Sequence, residues 1–136
     1  MSANKHFIDT SIILYLLSAN SIKADLAEQV IATGGIISVQ VLNELAAVMQ
    51  RKLRMSWEET QEIITTAQAV LSVEPLTIET HKLGCEISRK YKLSVYDGMI
   101  VAAAILANCS TLYSEDMQHG LIVEKKLTIQ NPFIAK

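Results

Sequence analysis

The sequence predicts an α/β fold of three layers, with a central parallel sheet of about five strands flanked by helices. Three observations lead there. Short apolar segments of strand length alternate with helical segments along the chain, and parallel strands need helical crossovers between them. One helical segment, Val95 to Ala107, is apolar on nearly every face and belongs against a buried sheet. Half of the 136 residues are apolar and 19% are charged. That balance excludes disorder and suffices for the core of one domain, expected over residues 1–136.

Each element has its own signal. His6 to Asp9 reads as a strand that meets the polar triplet Asp9-Thr10-Ser11. Ile12 to Leu17 reads as a short apolar helix and Ser21 to Thr33 as a second, broken by Gly34-Gly35 ahead of the strand Ile36-Ile37. Ser38 caps a helix from Val39 to Arg54, whose residues Val41, Leu42, Leu45, Val48 and Met49 fall on one arc at the helical period. Ser56-Trp57-Glu58-Glu59 fits a capping box and starts a helix to Val70. Leu71-Ser72-Val73 is a weak strand closed by Pro75, followed by a helix from Ile78 to Tyr91 and by the apolar helix. Thr111 to Ser114 is a strand running into Glu115-Asp116, and Lys126 to Ile129 is a last edge strand before Pro132.

Composition bounds the function. The net charge is −2 and the pI about 5.9, so a polyanion must be held by a local patch or through a bound cation. The longest apolar run, Met99 to Ala107, has nine residues. A membrane span needs about 20. Met1 to Lys5 shows no cationic leader with an apolar core, and a cytoplasmic protein is expected. Cys85 and Cys109 sit in apolar helical contexts and are expected as buried, reduced thiols. His6, His81 and His119 lack zinc-ligand spacing, and no Gly-rich phosphate loop exists. His119 is read as a surface histidine. The basic groups Arg51-Lys52-Arg54, Arg89-Lys90-Lys92 and Lys125-Lys126 lie mostly at helix ends, where cations suit the dipole, and none is assigned a substrate role.

In parallel sheets the site lies beyond the carboxyl ends of the strands. Asp9 and Asp116 both stand just after a strand. Either could simply cap a helix or fill a turn, and Glu115 reads as a solvated companion of Asp116. Glu44 lies about 40° from Val48 and about 60° from Val41 around its helix, at the edge of the apolar stripe. It either snorkels to solvent or lines a cleft between helix and sheet. Asp97 closes Ser94-Val95-Tyr96-Asp97, which resembles a capping box, yet it opens the one helix that must be buried. Capping and ligation are both compatible with it. If the four acids converge, a pair about 5 Å apart repels by on the order of 3 kcal/mol at an effective dielectric of about 20. Such a cluster calls for a cation, and all-oxygen ligation selects Mg²⁺ or Mn²⁺ over zinc. A divalent ion in a carboxylate cup activates water and clamps a phosphodiester.

At these residues the sequence resembles a PIN-domain protein, specifically a small bacterial toxin of the VapC type. The matching segments are Phe7-Ile8-Asp9-Thr10, Val41-Leu42-Asn43-Glu44-Leu45, Ser94-Val95-Tyr96-Asp97 and Leu112-Tyr113-Ser114-Glu115-Asp116-Met117, in the family's order from about His6 to Phe133. The resemblance implies a metal-dependent endoribonuclease of a toxin–antitoxin pair. Asp9, Glu44, Asp97 and Asp116 would be its acidic metal-site quartet, with Mg²⁺ or Mn²⁺ as cofactor. Ser114 would steady the last acid or a water at the ion. Two positions depart from the family pattern: Ser11 stands where Asn is usual and Gly98 where Ala is more common. Serine is shorter and lacks the amide's second donor, and glycine loosens a first helical turn.

The run Ile12 to Leu17 is more apolar than one face of a short helix can bury, which marks a protein interface. By the resemblance, a homodimer and a cognate antitoxin segment packed near this helix are expected, with RNA as substrate. Two other classes share an Asp after the first strand. An aspartyl-phosphate phosphatase needs a second Asp two residues on, where Ser11 stands. A catalytically inactive PIN-like module that binds nucleic acid or a partner differs from the nuclease only in activity, so an assay with Mg²⁺ or Mn²⁺ separates them.

Overall fold

The computed structural model describes residues 5–134. Residues 1–4, where no leader is expected, lie outside them. The chain runs β1 (His6–Ile8), α1 (Thr10–Leu14), a 3-10 turn (Tyr15–Leu17), α2 (Ser21–Ala32), β2 (Ile36–Ser38), α3 (Val39–Arg51), α4 (Trp57–Val70) and β3 (Ser72–Glu74). It continues through α5 (Ile78–Tyr91), α6 (Val95–Leu106), β4 (Thr111–Tyr113), β5 (Ile122–Val123) and β6 (Leu127–Gln130). The sheet order is β3-β2-β1-β4-β6-β5, parallel except for β5, which pairs antiparallel with β6.

From β1 the chain steps outward through β2 to β3, then returns across the sheet to β4 on the other side of β1. Right-handed crossovers then place α1 to α4 on one face and α5 and α6 on the other. Helix contacts join α1 with α3, α3 with α4 and α5 with α6, and α3 also meets α6. The core is apolar and mostly aliphatic: Phe7, Ile8, Ile37, Leu112 and Ile129 from the strands meet Ile12, Val41, Leu45, Ile87 and Ile100 from the helices. In α6 every residue from Gly98 to Ala104 is buried, as its uniform apolarity requires. Among the described residues no helix is long and apolar enough to cross a membrane.

The sheet has six strands rather than about five, because Ile122–Val123 forms a two-residue strand too short to signal itself in sequence. The segment expected as the edge strand is therefore β6, one strand in, and β5 covers it. The first helix begins at Thr10, two residues early, because Asp9 already serves as its N-cap. Its last residues, Tyr15–Leu17, tighten into a 3-10 turn. Helix α3 stops at Arg51 instead of Arg54, where the backbone of Arg54 has turned to φ 52°. Both cysteines are free, but Cys85 is exposed on α5, so only Cys109 matches the buried reading.

Candidate functional site

The sheet changes direction at β1 and β4, and this switch point is where an open α/β sheet forms its crevice. The predicted residues come together around it. Asp9 follows β1 and is 3% exposed. Its Oδ1 accepts the Thr10 N–H at 2.7 Å, while its Oδ2 accepts the hydroxyls of Ser114 at 2.7 Å and Ser11 at 3.3 Å. Burial pushes the Asp9 carboxyl up to about 7. The hydrogen bonds from Ser114 and Thr10 oppose that shift, and the charges of Asp97 and Glu44 reinforce it.

Glu44 is half-buried on the inner side of α3, so it lines the cleft and does not snorkel away. Thr10 Oγ1 donates to its Oε1 at 2.9 Å, and Gln40 Nε2, one turn earlier on α3, donates to its Oε2 at 3.0 Å. Asp97 lies in the first turn of α6. Ser94 caps that turn by accepting the Asp97 N–H at 3.1 Å, and hydrogen bonding from its side chain opposes the upward shift of the Asp97 carboxyl. Burial raises the Asp97 carboxyl above its usual range, and the charges of Glu44 and Asp116 raise it further. Asp116 stands exposed after β4.

Ser114 departs from its expected contact. Its hydroxyl donates to Asp9, the first acid, and reaches the last acid only by accepting the N–H groups of Asp116 at 3.2 Å and Met117 at 3.3 Å. Fully buried, it locks two strand ends together. Ser11 compensates for its short side chain in a similar way, donating to Asp9 and accepting the Glu115 N–H at 3.2 Å. Glu115 is no loose companion either. Tyr15 donates to its Oε1 at 2.5 Å and Lys23 pairs with its Oε2 at 2.6 Å. Burial works to raise its carboxyl, but these partners outweigh it and hold the group below its usual range. His119 is exposed, accepts the Asn131 N–H at 3.0 Å and anchors a turn.

The four acids thus share one electrostatic field, although among the described residues no three Asp, Glu, His or Cys side chains already close around an ion position. Their donor chemistry fits a hard divalent cation: every donor is oxygen, and burial plus mutual repulsion leave Asp9 and Asp97 short of positive charge. A groove of about 590 Å³ opens beside them, with Thr10, Glu44, Glu115 and Asp116 at one end and Lys52 at the other. Thr10 and Gln40 were not singled out from the sequence. Thr10 lay visible in the polar triplet, and Gln40 precedes Glu44 by one helical turn.

A family model described as the PIN domain matches residues 6–121. No curated protein matches the sequence. Several solved structures share the fold at low identity. A toxin–antitoxin complex from Klebsiella pneumoniae is 16% identical with a TM-score of 0.72, covering 95% of this chain and 98% of that one. VapC20 of Mycobacterium tuberculosis, a sarcin–ricin loop cleaving toxin, is 20% identical with a TM-score of 0.64, covering 82% and 90%. A DNA-bound VapBC from Salmonella typhimurium is 15% identical with a TM-score of 0.68, covering 96% and 99%.

Proposed function

Since this chain belongs to the PIN domain family, we propose that it is a metal-dependent endoribonuclease, the toxin of a toxin–antitoxin pair working in the cytoplasm. The observation that carries the reading is the convergence of Asp9, Glu44, Asp97 and Asp116 on the switch point, where Asp9 feels the charges of Asp97 and Glu44, and Asp97 those of Glu44 and Asp116. These four would hold Mg²⁺ or Mn²⁺, which supplies an activated water and positive charge for a phosphodiester. The chain's own residues prepare the site. Thr10, Ser11 and Ser114 fix both oxygens of Asp9, while Thr10 and Gln40 fix Glu44, so two of the acids are oriented before any ion arrives.

The groove supports a single-stranded RNA substrate. Glu44 and Lys52 stand eight residues apart along one side of α3 and its cap, about 12 Å at 1.5 Å per residue. Lys52, with exposed Arg51 and Arg54 beside it, offers phosphate contacts beyond the acidic end.

Partner surfaces are apolar, and one adjoins the substrate groove through Leu17. Ile12 and Ile13 are buried, but Leu16 and Leu17 remain about 40% exposed and line a second, apolar groove of about 470 Å³ with Met55, Ile63 and Val70. That groove suits the apolar segment of a cognate antitoxin. A separate exposed patch of Leu76, Ile78, Val95 and Tyr96 suits a second copy of this chain in a homodimer.

The test combines cleavage with melting. RNA is expected to be cut with Mg²⁺ or Mn²⁺ and spared in EDTA, and Asp97→Asn is expected to lose activity by orders of magnitude. In EDTA the same variant is expected to be more stable than wild type, by about 1–3 kcal/mol of relieved repulsion, and so to melt higher. Cleavage undiminished in EDTA overturns the metal reading. A destabilised Asp97→Asn that still cleaves reduces Asp97 to a structural residue.

A further inference from the structure

One carboxylate beside the groove is kept out of the acidic set. Glu115 adjoins Asp116 and lines the same groove, and its backbone N–H is tied to Ser11, which leans on Asp9. Its side chain is turned to other partners: Tyr15 holds Oε1 at 2.5 Å and Lys23 Nζ holds Oε2 at 2.6 Å. Lys23 comes from α2, 92 residues away in sequence, and sits over two rings, 4.7 Å from the Tyr15 centroid and 5.3 Å from that of Phe133. Lys23 and Glu115 are 33% and 26% exposed, so this pair is less screened than one on the open surface. An ordinary surface pair has no need of three elements to hold it. Here they hold a carboxylate that lines the same groove as Glu44 and Asp116.

We propose that Lys23 is a specificity-determining residue for the cation: by engaging Glu115 it withholds a fifth carboxylate from the acidic site and so favours Mg²⁺ or Mn²⁺ over Ca²⁺. The inference rests on the metal-dependent reading above. Mg²⁺ keeps several waters and needs few carboxylates, whereas Ca²⁺ takes six to eight oxygens in flexible arrangements. A released Glu115, on a long side chain, adds the kind of ligand that favours the larger ion. Lys23 touches no reacting group in this scheme. It acts through Glu115.

The experiment is a pair of cation titrations, Mg²⁺ and Ca²⁺, read by thermal melting of the full chain without RNA, for wild type, Lys23→Met, Lys23→Arg and Lys23→Met with Glu115→Gln. Wild type is expected to respond more strongly to Mg²⁺. Lys23→Met is expected to shift the ratio of midpoints toward Ca²⁺ by about fivefold or more, because a released Glu115 adds an oxygen ligand that the larger, higher-coordinate ion accepts, whereas its charge alone strengthens both ions alike. Lys23→Arg is expected to keep the wild-type ratio, and Glu115→Gln to reverse the shift. If Lys23→Met does not fold, Tyr15→Phe removes the hydroxyl that both Glu115 and Lys23 bond while keeping their ion pair, and its ratio is expected to move the same way by less. A ratio unmoved in the variant that folds, or a shift that survives Glu115→Gln, overturns the role of Lys23 alone. A wild type that neither cation stabilises overturns the metal reading and this inference with it.

Discussion

At Asp9, burial and hydrogen bonding pull in opposite directions, and burial wins, so the carboxyl holds its proton up to about pH 7. The sign for stability follows. A proton bound more tightly in the folded than in the unfolded chain stabilises fully below the unfolded value of 3.8, and that contribution is lost as pH rises through about 7. In EDTA the stability is therefore expected to fall between about pH 4 and 7, by at most roughly 4 kcal/mol from this residue. Asp97 adds to the slope in the same direction. Mg²⁺ is expected to flatten it, because an ion that binds the ionised site replaces the proton. Melts across pH with and without the ion check this, and a slope indifferent to Mg²⁺ counts against ligation by Asp9. At this scale the sequence revealed the four acids through their places at strand and helix ends. It concealed the partners: Ser114 reaches Asp9 across 105 residues and Lys23 reaches Glu115 across 92, separations that no local pattern encodes.

At the level of elements, helix starts were the most legible feature, because caps are local chemistry. Ser38, Ser56 and Ser94 each cap the helix that the sequence assigns to them. Ends were less legible, since Arg54, Lys92 and Asn108 turn to positive φ without the glycine that normally announces such a turn. Gly98 acquires a clear reason only in the packing of α5 on α6. A Cβ there would sit 2.0 Å from Ser88 Oγ and 2.5 Å from the Gly84 carbonyl oxygen. Gly98→Ala is thus expected to push the helices apart and destabilise by about 2–3 kcal/mol, despite alanine's better helix propensity, as denaturant melts would show. It is also expected to lower RNA cleavage, because Asp97 rides on the same turn. On α3 the test is electrostatic. Lys52→Glu is expected to weaken RNA binding and to flatten its dependence on salt by about one unit of slope. Unchanged anisotropy titrations would remove the cationic end of the groove from the substrate path.

For the molecule as a whole, the alternation of strands and helices was enough to give the parallel sheet and its switch point, and hence where to look. Strand order came only with the structure, because three-residue strands carry too little pattern to specify their neighbours. The patch of Ile78, Val95 and Tyr96 leads to a prediction at this scale. Light scattering at micromolar concentration is expected to give a dimer, and Ile78→Glu with Tyr96→Glu to give a monomer; a monomeric wild type counts against that face. The sheet order also governs timing. The strand made first, β1, pairs on one side with β4, so His6 meets Thr111 and Ile8 meets Tyr113. The hydroxyl that orients Asp9 arrives with Ser114, and the last acid two residues later. A chain emerging from the ribosome therefore has an open central strand and an unassembled acidic site until β4, Ser114 and Asp116 have been made. Products cut short before Thr111 lack a wall of the sheet as well as Asp116. If the protein destroys RNA, the machinery that synthesises it meets that activity only from chains that have passed Asp116, so the enzyme's own architecture delays the harm it can do to its maker.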